Sequence, residues 1–360
     1  MTPTRSNLRR LAAGAALAVG ALLLSACAGG TASGPTETSA ENGAESGDLG
    51  ELTVQLSWIL NEEWSGELIA DAEGYFTDAG LTSVQLVPGP SSGVPELLSG
   101  TADLSLTDAL SVGAAVANEG APLKVIGATF QKNPFTIASL ADGADITTPE
   151  DMIGKKIGVQ DSNRAVFEAF LAANDIETSE VDIVPVQYDP APLTTGEVDG
   201  LIAFVTSQSV AIELQGIEVT DLLFADNGLP FVGHVITATD ETIATRRDAL
   251  KAFLEAEVRG WTDAVADPSV GAQLAVDEYG TDLGLQIESS TASATAQAEL
   301  LVVSDETAAN GLFTISDDLQ EQTLASLATS GYELTAADLF DLSLLDEVYE
   351  ANPALVDAQR

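Results

Sequence analysis

Two of the chain's three tryptophans, Trp58 and Trp64, flank Asn61 within one short turn, and here the residue types point to chemistry. Paired indoles around an amide suit non-covalent capture of a flat solute. Stacking adds about 0.5–1.5 kcal/mol per ring pair beyond burial, and the amide fixes orientation. The other reading is packing, with Trp58 capping a sheet and Trp64 lying under its helix. Ser91 and Ser92 lie in Pro88-Gly89-Pro90-Ser91-Ser92-Gly93. That loop can bring backbone N–H groups and two hydroxyls to a ligand, or serve as a plain connection. Asn163 and Arg164 stand where a strand turns into a helix. A guanidinium there suits a carboxylate or phosphate, or is a surface arginine on a first helical turn. Phe204, Thr206 and Gln208 close a later strand and complete the candidate binding set.

Covalent chemistry has little to work with. His234 is the single histidine, in the apolar run Pro230–Ile236, where a structural role is expected and no second metal ligand stands at suitable spacing. The chain has one cysteine, Cys27, and no G-x-S-x-G elbow. Gly154-Lys155-Lys156 lacks the G-x-x-x-x-G-K-[ST] spacing of a phosphate loop. The sequence therefore points to binding without catalysis, with no cofactor and no metal.

The elements that position these residues follow from periodicity. Leu52, Val54, Leu56 and Trp58 alternate with polar neighbours, as in a strand with one apolar face. Asn61 stands as an N-cap, Glu62 and Glu63 suit the positive end of a helix dipole, and Trp64, Leu68, Ile69 and Ala72 recur at helical spacing up to Gly74. The turn from Trp58 to Trp64 thus joins a strand's carboxyl end to a helix's amino end, where open α/β sheets bind ligands. Strand and helix signals keep alternating to about residue 236. A long amphipathic helix marked by Leu250, Phe253, Leu254, Val258 and Trp261 then opens a helical C-terminal part.

These residues also carry a family resemblance. The pattern W-x-x-N-x-x-x-x-G at Trp58, Asn61 and Gly66, followed by Glu73-Gly74-Tyr75-Phe76 and Ala79-Gly80-Leu81, resembles the opening of solute-binding proteins related to the thiamine-pyrimidine precursor binders and the nitrate, sulfonate and taurine binders. The stretch from Asp189 to Asp199, D-P-x-P-L-x-x-G-x-V-D, is similar to a second motif of the group. The resemblance implies an α/β type II periplasmic-binding-protein fold with two lobes around a cleft. It further implies an extracytoplasmic receptor that hands a small molecule to an ABC permease and its ATPase. It puts a ligand-facing loop at Ser91 and Ser92 and a ligand-facing strand before Gln208. Where pyrimidine binders commonly carry a carboxylate after that strand, this chain has Gln208; where the group tends to carry histidine in the opening motif, it has Trp64. An amide gives no charge-assisted bond, so an aminopyrimidine loses a strong contact there and a neutral amide-bearing heterocycle does not. The expected ligand is a thiamine-pyrimidine precursor or a flavin-like heterocycle. The alternatives are an alkanesulfonate, nitrate or bicarbonate, and behind those a structural surface lipoprotein or a pyrimidine synthase-like enzyme.

The expected organisation is a signal peptide over residues 1–26, a lipid-anchored tether over 27–50, a first lobe from 51–138 and 234–360, and a second lobe from 139–233, with crossings at Phe135–Leu140 and Phe231–Ile236. Arg5, Arg9 and Arg10 precede an apolar run, and Leu24-Ser25-Ala26-Cys27 matches a bacterial lipobox, which places the protein outside the cell membrane and ties it there through a lipid on Cys27. Residues 28–50 are rich in Gly, Ser, Thr, Ala and Glu and read as a flexible spacer of about 25–30 Å. The formal net charge of −43 repels nucleic acid and makes it an unlikely partner. Because acylation needs the Cys27 thiol, a Cys27→Ala precursor should take up no fatty acid; radiolabelled palmitate entering the variant would refute the lipobox.

Overall fold

The structure, a computed structural model, describes residues 48–357. The expected signal peptide, Cys27 and nearly all of the expected tether lie outside the described residues. The folded body begins slightly ahead of the expected tether end, because Leu49 N–H donates to Gly80 O at 3.0 Å and its side chain packs on the core.

Ten strands form two five-stranded sheets. The first has the order β2 (Ser83–Val87), β1 (Glu51–Leu56), β3 (Leu104–Thr107), β10 (Gly233–Thr239), β4 (Leu123–Phe130). The second has the order β7 (Asp182–Pro185), β6 (Lys156–Val159), β8 (Gly200–Phe204), β5 (Phe135–Leu140), β9 (Val219–Leu223). Both follow one plan. Three parallel strands are followed by one antiparallel strand, β10 or β5, which pairs on both sides.

The run Phe135–Leu140 is therefore not a crossing. It is an interior strand of the second sheet, with Phe135 opposite Phe204 and Thr136 opposite Leu223, so residues 135–138 do not belong to the first sheet. A short apolar run reads alike as connector or buried strand until its partners are known. The chain passes between sheets at residues 131–134 and again at 224–232. The two passages are tied together: Asn133, 1% exposed, donates through Nδ2 to Leu229 O at 2.8 Å and accepts from Phe135 N–H at 3.0 Å. The helix Asp317–Thr329 also braces the second passage, since Thr323 Oγ1 accepts from Val232 N–H at 3.2 Å and Ser326 Oγ donates to Pro230 O. It packs on both Ala109–Glu119 and Arg164–Ala173, so the C-terminal helices do not all serve the first sheet.

The core of the first sheet explains its tight helix crossing. Gly66 in Ser65–Ala72 and Gly260 in Arg247–Ala266 face each other so closely that a Cβ on Gly260 would lie 2.2 Å from Gly66 O. The Trp261 indole covers Gly66, 2.1 Å from where its Cβ would stand. Beside this contact lie Glu67 and Glu257, both 0% exposed, facing each other and Trp261 without an aligned hydrogen bond. An ionised carboxylate there has neither water nor a cation, so both side chains favour the protonated form. Burial is the main cause for each; Glu63 adds repulsion at Glu67, and Glu67 adds it at Glu257.

Raised carboxyl pKa values mean that the folded state holds protons the unfolded state has lost. Their contribution is fully present below the ordinary glutamate value of 4.5 and is lost as pH rises through the raised folded values. Glu67→Gln, which keeps the shape without the charge, should match the wild-type melting temperature near pH 4.5 and exceed it increasingly toward pH 8. An offset that does not change with pH would refute this account.

Candidate ligand-binding site

A cleft of about 300 Å³ opens where four parallel strands end. β1 delivers Ser57 and Trp58, β3 delivers Thr107 and Asp108, β6 delivers Gln160, Ser162 and Asn163, and β8 delivers Phe204, Ser207 and Gln208. Pro134, Phe135, Phe231, Gly233 and His234 form its floor at the passages between sheets. The polar groups that these four strands deliver stand at their carboxyl ends, because there the side chains leave the sheet and the backbone turns away.

Aromatic rings meet across the cleft. Trp58, half-buried, has its ring centroid 5.6 Å from that of Tyr188 at an interplanar angle of 43°. Tyr188 follows β7 and is held by a 2.7 Å hydrogen bond between its hydroxyl and Ser207 Oγ. The residue is 37% exposed, and its partial burial, with Glu62 and Glu63 nearby, pushes its pKa up to about 12, so it stays a neutral phenol. The loop carrying Ser91 and Ser92 is pinned to β1 by Gly89 N–H on Trp58 O at 2.7 Å and Ser91 N–H on Ser57 O at 3.2 Å. A side chain at Gly89 would meet Ser57 O at 2.3 Å, so glycine is what permits the approach.

The polar lining is acidic or neutral. Asp108 is occupied by Ser111, whose N–H and Oγ donate at 2.8 and 2.6 Å. Glu63 faces the cleft with its side chain 12% exposed, and its Oε1 lies 2.7 Å from His234 Nε2. His234 is 4% exposed, adopts φ +44°, and sits between Trp64 (4.6 Å, 13°) and Phe130 (3.9 Å, 21°). Gln208 accepts from Phe204 N–H through Oε1 at 2.9 Å, which turns its amide NH2 toward other partners. Neither lysine nor arginine lines the cleft among the described residues. Nor, among them, does any group of three or more His, Cys, Asp or Glu offer a metal site.

The comparisons with known proteins bear on this geometry. A family model described as NMT1/THI5 like matches residues 61–270. The chain belongs to the NMT1/THI5-like family. It is similar to the riboflavin-binding protein RibY of Chloroflexus aurantiacus, 24% identical over 275 residues that cover 71% of this chain and 74% of that one. It also matches the 4-amino-5-hydroxymethyl-2-methylpyrimidine phosphate synthase of Schizosaccharomyces pombe, 28% identical over 231 residues covering 60% and 66%. Among solved structures it resembles the nitrate-binding protein NrtA of Synechocystis PCC 6803, with a TM-score of 0.61, 12% identity, and 86% and 91% coverage. It likewise resembles the aliphatic sulphonate binding protein SsuA of Escherichia coli, with a TM-score of 0.57, 17% identity, and 76% and 90% coverage. The two-sheet architecture is thus the periplasmic-binding-protein fold.

Within this NMT1/THI5-like chain, the cleft gathers Trp58, Ser91, Ser92, Asn163, Phe204 and Gln208 from the residues expected to bind. Four others stand elsewhere. Trp64 is 0% exposed, stacks on His234, and donates from Nε1 to Ile59 O at 2.9 Å. Asn61, 2% exposed, occupies the N-cap position of the turn Glu62–Trp64 without a side-chain cap bond. Arg164 points to solvent and pairs with Glu168 one helical turn on, Nε to Oε1 at 2.5 Å. Thr206 is buried behind the lining. Glu63, Gln160, Tyr188 and His234 also line the cleft, outside the set expected from the sequence. Glu63 reads as a dipole residue and His234 as a structural one in an apolar run; Tyr188 precedes the Asp189 motif without any periodic signal.

Trp64→Ala should cost about 3–5 kcal/mol of unfolding free energy, the range for emptying a buried aromatic site. Arg164→Ala, which breaks one exposed pair, should stay within about 0.5 kcal/mol. Denaturant titration of both variants checks the contrast; comparable losses would contradict these assignments.

Proposed function

We propose that this chain is the extracytoplasmic solute-binding component of an ABC importer, and that its cargo is a flat heteroaromatic nutrient of the flavin or thiamine-pyrimidine type. The observation that carries the reading is the Trp58–Tyr188 pair, one ring from each side of a cleft that is otherwise hydroxyls, amides and a carboxylate. A planar ring that parts these touching rings as the cleft opens would gain stacking on both faces, while Gln208, Asn163 and Ser92 offer hydrogen bonds at its edges. The similarity to a riboflavin-binding protein supports the flavin side, and the similarity to a pyrimidine synthase supports the pyrimidine side.

Sulfonate, nitrate and bicarbonate are disfavoured by charge. An anion would enter a cleft holding Glu63 and Asp108, with Arg164 turned out to solvent. No reaction is assigned to the chain. The position where the group tends to carry histidine is Trp64, which is committed to the core. The lipid on Cys27 belongs to this proposal as well, and would keep the receptor beside its permease.

Titrating the soluble form, begun after Cys27, with riboflavin and with 4-amino-5-hydroxymethyl-2-methylpyrimidine should show tryptophan quenching by at least one of them. Trp58→Ala should weaken that binding at least tenfold, about 1.4 kcal/mol, with the apo melting temperature within a few degrees of wild type. If neither compound binds while an alkanesulfonate does, the reading is wrong.

A further inference from the structure

Glu63 is the one charged group in the cleft whose acceptor capacity is not used up by the protein. Its Oε1 lies 2.7 Å from His234 Nε2, a close contact that is not aligned as a hydrogen bond, and no hydrogen bond of Oε2 is formed among the described residues. The imidazole that holds it is fixed from three directions. Trp64 and Phe130 stack on its two faces, and the φ of +44° at His234 sets the ring's course out of β10. The carboxylate therefore has a defined position facing the cleft. Side-chain rotation would move Oε1 off an imidazole that cannot follow.

The surroundings sharpen what Glu63 can accept. Glu62, buried beside it, has its pKa raised mainly by burial and partly by Glu63's own charge, and Glu67 lies behind in the core. No lysine or arginine lines the cleft, and Asp108 is satisfied by Ser111. A carboxylate so placed gains most from a ligand that brings its own N–H, since charge-assisted bonds are roughly twice as strong as neutral ones.

Resting on the proposed function, we infer that Glu63 is a specificity-determining residue of the cleft, that His234 is its positioning residue, and that the ligand is a heterocycle presenting a ring or exocyclic N–H to Glu63 Oε2. A carboxylate on this wall supplies the contact that Gln208, across the cleft, cannot make. A flavin would offer its imide N–H, an aminopyrimidine its amino group. A heterocycle with acceptors alone at that edge would meet an unpaired carboxylate and be rejected.

The test pairs protein and ligand changes. Riboflavin is compared with 3-methylriboflavin, and 4-amino-5-hydroxymethyl-2-methylpyrimidine with its dimethylamino counterpart, against wild type, Glu63→Gln, His234→Asn and the double variant by calorimetry. For the compound that binds, methylating the donor nitrogen should cost at least tenfold in wild type and less than threefold in Glu63→Gln. Glu63→Gln should itself weaken the parent compound about tenfold. His234→Asn should weaken it less, and its effect should largely disappear in the Glu63→Gln background, which a merely structural role would not produce. A methylated compound that binds wild type as well as its parent would overturn the inference while leaving the proposed function standing, and needs no variant to fold. Wild type binding neither heterocycle would overturn both.

Discussion

The cleft depends on one column of stacked rings. Trp64, His234 and Phe130 bring together the turn after β1, the start of β10 and the end of β4. Burying Trp64 anchors the far end of that turn and leaves Trp58 and Glu63, both ahead of it in sequence, facing the cleft. The indole N–H on Ile59 O closes the turn upon itself, so the geometry is held by packing and one satisfied donor together. Without this column the residues that face the cleft would hang from an unsupported loop.

The same constraint places the passages between sheets under the cleft floor. β10 and β5 are the strands that follow each passage, and each pairs on both sides within its sheet, so neither can shift alone. Motion between the halves is left to residues 131–134 and 224–232, which Asn133 ties together through Leu229 O. Hinge closure concentrated in two short linked connections would preserve both cores. The bracing by Asp317–Thr329 gives that pair of connections a common support.

The cleft is lined by carboxylates, hydroxyls and amides, and no lysine or arginine lines it among the described residues. The fold is shared with NrtA and SsuA, yet fold similarity at 12–17% identity carries no ligand with it. Here acid dominates both the surface and the interior: the formal charge is −43, and Glu62, Glu67 and Glu257 are buried around the cleft's first helix. The buried acids are tolerated because burial favours their neutral forms. Glu63 differs from them by having His234 beside it and open space in front.

The sequence by itself determined the strand at residues 51–56, the helical turns that follow, the strand–helix alternation and the α/β class, since each is written in a local period that any neighbour-by-neighbour reading recovers. It also brought Trp58, Ser91, Ser92, Asn163, Phe204 and Gln208 forward, because strand ends are visible where a pattern stops. Arg164, a binding candidate in the sequence, is turned outward in the structure to an i,i+4 pair with Glu168. Only the tertiary structure decided which tryptophan is core and which faces the cleft, which sheet receives Phe135–Leu140, and that Glu63 meets His234. Each of those outcomes depends on partners far along the chain: His234 covers Trp64 and is backed by Phe130, Phe204 pairs with Phe135, and a histidine of β10 reaches the turn after β1. A residue's period records its own backbone, whereas burial and ion pairing are set by whatever the fold brings opposite it.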